Sequence, residues 1–327
     1  MPEIFSTHHL HPDAAALLQQ LGTLRYASAP DLDTLLKEGT QAEIIVVRAP
    51  LPPELFDRAK DLRAAIRHGA GLDMIPVEAA TKAGVLVANV PGANARSVAE
   101  YAFFSAMALL RRFRIVDSKL RNEGWTVARN EADFARDLSG LTLGVVGYGN
   151  VGQAVCAIAV GGFGLDVLVS SRTKRETPEG VRFAELDELA SNADVMVLCC
   201  PLSDETRGMV DAKLIARMKP GAIIVNVSRG PVIDDDAMIA ALREGRIGGA
   251  ALDVFAKQPL PNDHPYLTLD NVLITPHMAG ITEGSMRRMG LGVAAEAKRV
   301  LAGELPLNFC NPEVQHAYRK RFPERPL

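Results

Sequence analysis

The amino-acid sequence predicts an α/β protein with parallel sheets, and three observations carry that reading. Short continuous apolar runs such as IIVV and VMVLCC alternate with segments of helical periodicity, the pattern of strands buried on both faces by crossover helices. A glycine-rich turn, Gly147-Tyr148-Gly149-Asn150-Val151-Gly152, stands between one such run and a helical segment. The chain has 327 residues, more than one core usually organises, so two domains are expected.

The elements follow in order. The N-terminal part reads as a helix over 13–21, a strand at 43–47, a helix at 54–60 and strands at 64–67 and 85–88. After Pro91 and Gly92 one long helix is expected over 95–121, with Asn94 as its N-cap. The strand at 141–147 runs through the glycine turn into a helix and on to a strand at 166–170. Further strands are expected at 195–200, 222–227, 248–254 and 272–275, then a helix over 285–301 and a proline-containing tail.

Composition narrows the classes. Hydrophobic residues make up 48% and charged residues 23%, which suits a packed globular chain and not a disordered one. A net charge of −3, from 36 basic and 39 acidic residues, gives no electrostatic footprint for nucleic acid. No apolar stretch is long enough for a membrane span, and MPEIFSTHHLHPD lacks a basic segment followed by an apolar run, so a cytoplasmic protein is expected. Cys156, Cys199, Cys200 and Cys310 are spaced too irregularly for a disulfide framework or a zinc site, and buried thiols are expected. His8, His9 and His11 lie close together in sequence but in no motif that would make them ligands, and no metal is expected.

The glycine turn carries a specific chemistry. Gly147 permits a tight turn, Gly149 lets backbone approach a pyrophosphate, and Gly152 lets the helix pack closely on the strand. The helix N-terminus then offers unpaired N–H groups and a positive dipole end to phosphate. A dinucleotide site of this kind would place an Asp or Glu at the end of the next strand, to bind both ribose hydroxyls. This chain has Ser171-Arg172-Thr173-Lys174 there. A carboxylate repels a 2′-phosphate, whereas a forked guanidinium pairs with it and stacks on adenine, so the segment reads as a site for NADP(H), with NAD(H) as the second candidate. The alternative is a solvated loop whose charges have no ligand.

Beyond the glycine turn, NVPGANARSVAEYA (89–102), GLTLGVVGYGNVG (140–152), CPLSDET (200–206), NVSRGPVID (226–234), GGAALDVFAKQP (248–259) and TPHMAG (275–280) occur in an order and spacing that resembles the D-isomer-specific 2-hydroxyacid dehydrogenase family over nearly the whole chain. The resemblance implies a doubly wound (Rossmann) cofactor domain, placed at 95–282, inserted into a smaller flavodoxin-like α/β substrate domain built from 1–94 and 283–327, with a cleft between. It also implies a homodimer in which the 95–121 helix takes part.

Reduction of a 2-oxo acid needs a hydride at C2, a proton for the oxygen and a cation for the carboxylate. By resemblance, Arg229 is the arginine that binds the carboxylate and polarised carbonyl, and His277 is the acid/base histidine. Asn150 and Val151 are assigned to the pyrophosphate turn, Cys200 and Pro201 to the adenosine edge, Val227 to the nicotinamide ribose side, and Thr206, Ser228 and Gly280 to further cofactor contacts. Asp253 is assigned to the carboxamide, with a turn-capping role as the alternative. On the substrate side, backbone N–H groups near Ala70 and Gly71 match the family's carboxylate-binding turn, and Asn94 stands at a site position. Arg48 reads equally as a substrate contact or a solvent-facing strand end. Trp125, the single tryptophan, is read as a packing residue, with a place near the substrate region as the alternative.

One position departs from the family pattern. Gln258 stands where most members carry a glutamate that hydrogen-bonds the histidine and favours its charged form. A neutral amide orients the ring without adding charge, and loss of a nearby carboxylate removes about one to three pKa units of upward shift. Oxo-acid reduction is therefore expected to weaken at a lower pH than in glutamate-bearing relatives. Glutamine at this place also resembles the formate dehydrogenase branch, in which Asn94 and Arg229 would be site residues, and this is the alternative activity. A cofactor-sensing binding protein on the same fold is the alternative outside catalysis.

Overall fold

The computed structural model describes residues 1–323, which divide into two compact units: Met1–Asn94 together with the chain from Ile281 onward, and Ala95–Gly280.

The first unit is built on five parallel strands, β1 (Glu3–Ser6), β2 (Thr23–Tyr26), β3 (Ile44–Val47), β4 (Ala64–Arg67) and β5 (Leu86–Ala88), in the order β2-β1-β3-β4-β5. This is the flavodoxin-type order. The run IIVV is apolar throughout because both of its faces are covered. Ile44 and Val46 pack with Leu18, Val293 and Ala297, whereas Ile45 and Val47 pack with Leu35, Leu55 and Phe56. The C-terminal chain closes this unit. Helix Glu283–Leu301 lies so close to helix Pro12–Leu21 that a Cβ on Gly290 would come 2.5 Å from the Ala14 Cβ. The buried Arg63 guanidinium donates to Val300 O and the Tyr318 hydroxyl, and Asn311 bridges Val87 N–H and Val85 O.

The second unit holds seven parallel strands, β6 (Thr142–Val146), β7 (Asp166–Ser170), β8 (Val181–Phe183), β9 (Val195–Leu198), β10 (Ile223–Asn226), β11 (Gly249–Leu252) and β12 (Val272–Ile274), in the order β12-β11-β10-β9-β6-β7-β8. The chain winds outward in one direction from β6 through β8 and in the other from β9 through β12, so the topological switch lies between β6 and β9. Loops leaving the carboxyl ends of such strands diverge and leave a ligand crevice. Ile223 and Val225 face the core shared with helix Ala95–Leu110, and Ile224 faces the opposite core. Both units are therefore parallel-sheet α/β structures, as the sequence predicts.

Several elements differ from the sequence expectation, among them the interior strand β1 and helices Leu32–Glu38 and Val77–Lys82, where none was placed. The single helix over 95–121 is two helices, Ala95–Leu110 and Phe113–Glu123, because Arg112 adopts a left-handed conformation with φ 50°. That conformation is unfavourable for a side-chain-bearing residue, and here the Arg112 guanidinium pairs with Glu131 at 2.6 Å and lies over the Phe134 ring. Neither glycine nor proline marks the break, so the periodicity reads straight through it. Edge strands β2 and β8 are short and carry polar residues, which hides them from a search for apolar runs. The expected tail contains helix Gln315–Arg321, whose Arg321 donates to the carbonyls of Ala59 and Ala83.

Candidate active site

The second-unit residues assigned to the cofactor and to the chemistry all lie just past the carboxyl ends of the sheet strands, in loops or in the first turn of the following helix, whereas Trp125 lies in helix Trp125–Glu131 and is 75% exposed, which departs from the packing role expected of it. Gly147 through Gly152 follow β6, Ser171 through Lys174 follow β7, and Cys200, Pro201 and Thr206 follow β9. Val227, Ser228 and Arg229 follow β10, Asp253 and Gln258 follow β11, and His277 and Gly280 follow β12.

The three motif glycines answer to different neighbours. At Gly147, with φ 98°, a Cβ would stand 2.7 Å from the Cys200 nitrogen, and at Gly152 a Cβ would stand 2.0 Å from the Gly147 oxygen. Both are required by the protein's own packing. A Cβ on Gly149 would meet nothing within 4 Å, so the fold itself does not require glycine there. The open space in front of Gly149 adjoins the N-terminus of helix Asn150–Phe163, which has no side-chain cap. An anionic group approaching the backbone at this point would give Gly149 its reason, and the arrangement fits a dinucleotide pyrophosphate. Asn150 and Val151 open the helix. The Tyr148 side chain turns inward, edge-on to Phe183 at 5.6 Å, which leaves its backbone to the site.

A cavity of about 370 Å³ opens beside this turn, with Gly149, Ser171, Arg172, Thr173, Arg175 and Glu205 among its lining. Lys174, expected to add positive field, is not part of that lining; the backbone path of the exposed loop brings Arg175 there instead. No carboxylate stands at the end of β7, but Glu205 enters from the loop after β9, with Oε2 3.7 Å from an Arg172 nitrogen. Neither Arg175 nor Glu205 is marked by the strand-turn-helix pattern that exposes the other residues. Cys200 also lines the cavity, and burial pushes its thiol up to about 11, which makes it a contact and not a nucleophile. Thr206 staples its own loop by accepting from Ser203 N–H and donating to Pro201 O, both at 2.8 Å.

The second cluster surrounds Arg229, Gln258 and His277. Buried Asn226 accepts from the Ser228 N–H and hydroxyl and donates to Arg229 O, which fixes the bend after β10. The Arg229 guanidinium donates to Ser228 O at 2.7 Å. A Cβ on Gly230 would lie 1.9 Å from the Phe255 carbonyl carbon, so the Arg229 loop is pressed against the backbone leading to Gln258. Asp253 is 1% exposed. Its Oδ1 accepts from the Thr275 hydroxyl and Met278 N–H, and its Oδ2 from Ala279 N–H. The turn-capping alternative for Asp253 is thus present in the structure. His277 projects from that turn with φ 57°, its own N–H bonded to Asp253 O. The Gln258 Oε1 lies 3.2 Å from His277 Nδ1, which orients the ring. Asn226 and Thr275 escaped sequence reading, although each is a polar residue beside an apolar strand and close to a singled-out residue.

The first unit holds the remaining candidates. Arg67 spans the turn that carries Ala70 and Gly71, donating to Gly71 O, His68 O and Val47 O, and Asn89 donates to Ala70 O. Arg48 donates to His9 O, and its backbone N–H to Thr7 Oγ1 at 2.8 Å, so it is not a free solvent-facing strand end. Asn94 precedes helix Ala95–Leu110. Among the described residues no cluster of His, Cys, Asp and Glu could hold a metal ion, and no helix is long and apolar enough to cross a membrane.

Two regular features now define the protein class: a doubly wound nucleotide unit, and an imidazole and a guanidinium on its carboxyl-end loops. Residues 103–279 match the family model for the NAD-binding domain of D-isomer-specific 2-hydroxyacid dehydrogenases. Over 317 residues, 95% of this chain, it is 38% identical to D-3-phosphoglycerate dehydrogenase of Methanocaldococcus jannaschii, and it spans 60% of that protein's length. It is 35% identical to glyoxylate reductase of Korarchaeum cryptofilum over 96% of this chain and 97% of the other. The structure of the NADPH-dependent glyoxylate/hydroxypyruvate reductase of Sinorhizobium meliloti superposes with a TM-score of 0.83 at 26% identity, covering 96% and 99% of the two chains. The chain belongs to the D-isomer-specific 2-hydroxyacid dehydrogenase family, whose members are oxidoreductases that use a nicotinamide cofactor.

Proposed function

We propose that this protein reduces a small 2-oxo acid of the glyoxylate or hydroxypyruvate type to the D-2-hydroxy acid, with NADPH preferred over NADH. The observation that carries the cofactor preference is the Ser171, Arg172, Thr173 and Arg175 lining of the cavity beside Gly149, where an NAD site would carry a carboxylate from β7. The glyoxylate reductase relatives support the substrate class.

The dinucleotide, when bound, supplies the hydride that reduces C2. The chain's own residues do the rest. Arg229 holds the substrate carboxylate and draws electron density toward the carbonyl oxygen, which favours negative charge developing there. His277, protonated and oriented through Nδ1 by Gln258, gives the Nε2 proton to that oxygen, and in the reverse direction takes it back. Asp253 holds the His277 turn in place, with the nicotinamide carboxamide as its proposed further contact. Cys200, Pro201, Thr206, Val227, Ser228 and Gly280 are the proposed wall of the cofactor site. On the first unit, the Ala70 and Gly71 N–H groups, Arg48 and Asn94 are the proposed substrate contacts.

The protein is further proposed to be a homodimer. Helix Phe113–Glu123 has no buried residue, and Phe104, Phe113, Trp125 and Phe134 are 60% or more exposed, an apolar surface that a second copy would cover.

Initial rates with glyoxylate, hydroxypyruvate, pyruvate, phenylpyruvate and formate, each with both cofactors, test the reading. Glyoxylate or hydroxypyruvate should lead, with higher kcat/KM for NADPH. Formate oxidation faster than every oxo-acid reduction would replace it with the formate dehydrogenase reading, and inactivity on all five would favour a cofactor-sensing binding protein.

A further inference from the structure

Glu205 is a carboxylate in a cavity otherwise suited to an anion. It lines the same 370 Å³ space as Arg172 and Arg175, with its Oε2 3.7 Å from the Arg172 guanidinium. The loop that carries it is held in place: Thr206 Oγ1 bridges Ser203 N–H and Pro201 O, and the N–H groups of Thr206 and Arg207 both return to Ser203 O. Glu205 therefore enters the cavity from a braced turn.

The pair has little structural value. The Arg172 and Glu205 side chains are 85% and 74% exposed, and an ion pair so open to water contributes little to stability. Its consequence falls on whatever occupies the cavity. Next to a ribose 2′-hydroxyl, a carboxylate is an acceptor. Next to a 2′-phosphate it competes for the guanidinium and repels the dianion.

We propose that Glu205 is a cofactor-specificity residue: it opposes Arg172, lowers the advantage of the phosphorylated dinucleotide, and keeps the unphosphorylated one usable in the same site. The inference rests on the proposed assignment of Arg172 to the 2′-phosphate. It accounts for two features together, a cationic loop in place of the β7 carboxylate and a carboxylate returned to the cavity from another strand.

The test is the dissociation constants of NADPH and NADH for the full chain and its Glu205→Gln, Glu205→Asp and Arg172→Ala variants, by calorimetric titration, with thermal melting as the check on folding. Glu205→Gln should tighten NADPH by roughly 3- to 10-fold and leave NADH unchanged or weaker. Glu205→Asp, which keeps the charge, should stay close to the parent. The gain in Glu205→Gln should shrink at about 0.5 M salt, where exposed charges are screened. Unchanged or weaker NADPH binding in Glu205→Gln, with Arg172→Ala losing NADPH affinity, overturns the role of Glu205 and leaves the Arg172 assignment standing. Full NADPH affinity in Arg172→Ala overturns that assignment, and this inference with it.

Discussion

The side-chain oxygen of Gln258 lies 3.2 Å from Nδ1 of His277. An amide at this distance orients the ring but brings no charge to it. In Gln258→Glu a carboxylate would stabilise the charged ring and raise its pKa. The alkaline limb of the pH profile for oxo-acid reduction is therefore expected to move upward by about one unit or more. Profiles of kcat/KM for the two proteins check this, and superimposable alkaline limbs would count against it.

Asp253 holds the turn beneath the same histidine through Thr275, Met278 and Ala279. Asp253→Ala leaves the buried Ala279 N–H without its acceptor, at a cost of about 1–3 kcal/mol. Chemical denaturation should show that loss, and kcat should fall because His277 is no longer held. Weaker cofactor binding in the same variant would support the carboxamide contact as well.

Gly149 and Gly152 separate a ligand's requirement from the protein's own. Gly149→Ala places a methyl group in open space and should melt like the parent, yet bind NADPH more weakly by roughly tenfold or more. Gly152→Ala drives its methyl group to 2.0 Å from the Gly147 oxygen and should be strongly destabilised. Melting curves paired with cofactor titrations read both effects. Normal NADPH affinity in Gly149→Ala would remove the pyrophosphate from that place.

His68 gives the first unit an acid-sensitive point. It is 3% exposed, its Nε2 finds no hydrogen-bond partner among the described residues, and burial, helped by Arg48 and Arg67, lowers its pKa from 6.5 to about 3. Above pH 6.5 both folded and unfolded states hold it neutral. Below that value the unfolded chain takes up a proton that the folded one refuses, so stability is lost as pH falls toward 3, at up to about 1.4 kcal/mol per pH unit. In His68→Asn the acid decline of unfolding free energy should be shallower by about one proton. Equal slopes would show that this ring protonates in the folded state.

Much of the fold was legible because both parallel sheets are covered on both faces, so that β3 and β9 are apolar throughout and β6 and β10 carry a polar residue only at one end. The break at Arg112 was not legible, since the residues its side chain meets, Glu131 and Phe134, lie beyond the next helix in sequence. At the site, Gly147 could be singled out by its place between a strand and a helix, and Arg229 and His277 by the family-like stretches NVSRGPVID and TPHMAG that carry them. Glu205 and Arg175 could not, because a cavity brings them together and no spacing does. Asp253 showed its chemistry in the sequence but not its partners, which come from the next strand's loop.

The most direct measurement is kcat for glyoxylate reduction with saturating NADPH in His277→Ala. Proton delivery by this imidazole predicts a fall of about 100- to 10,000-fold while NADPH still binds. A kcat equal to that of the parent would contradict the account.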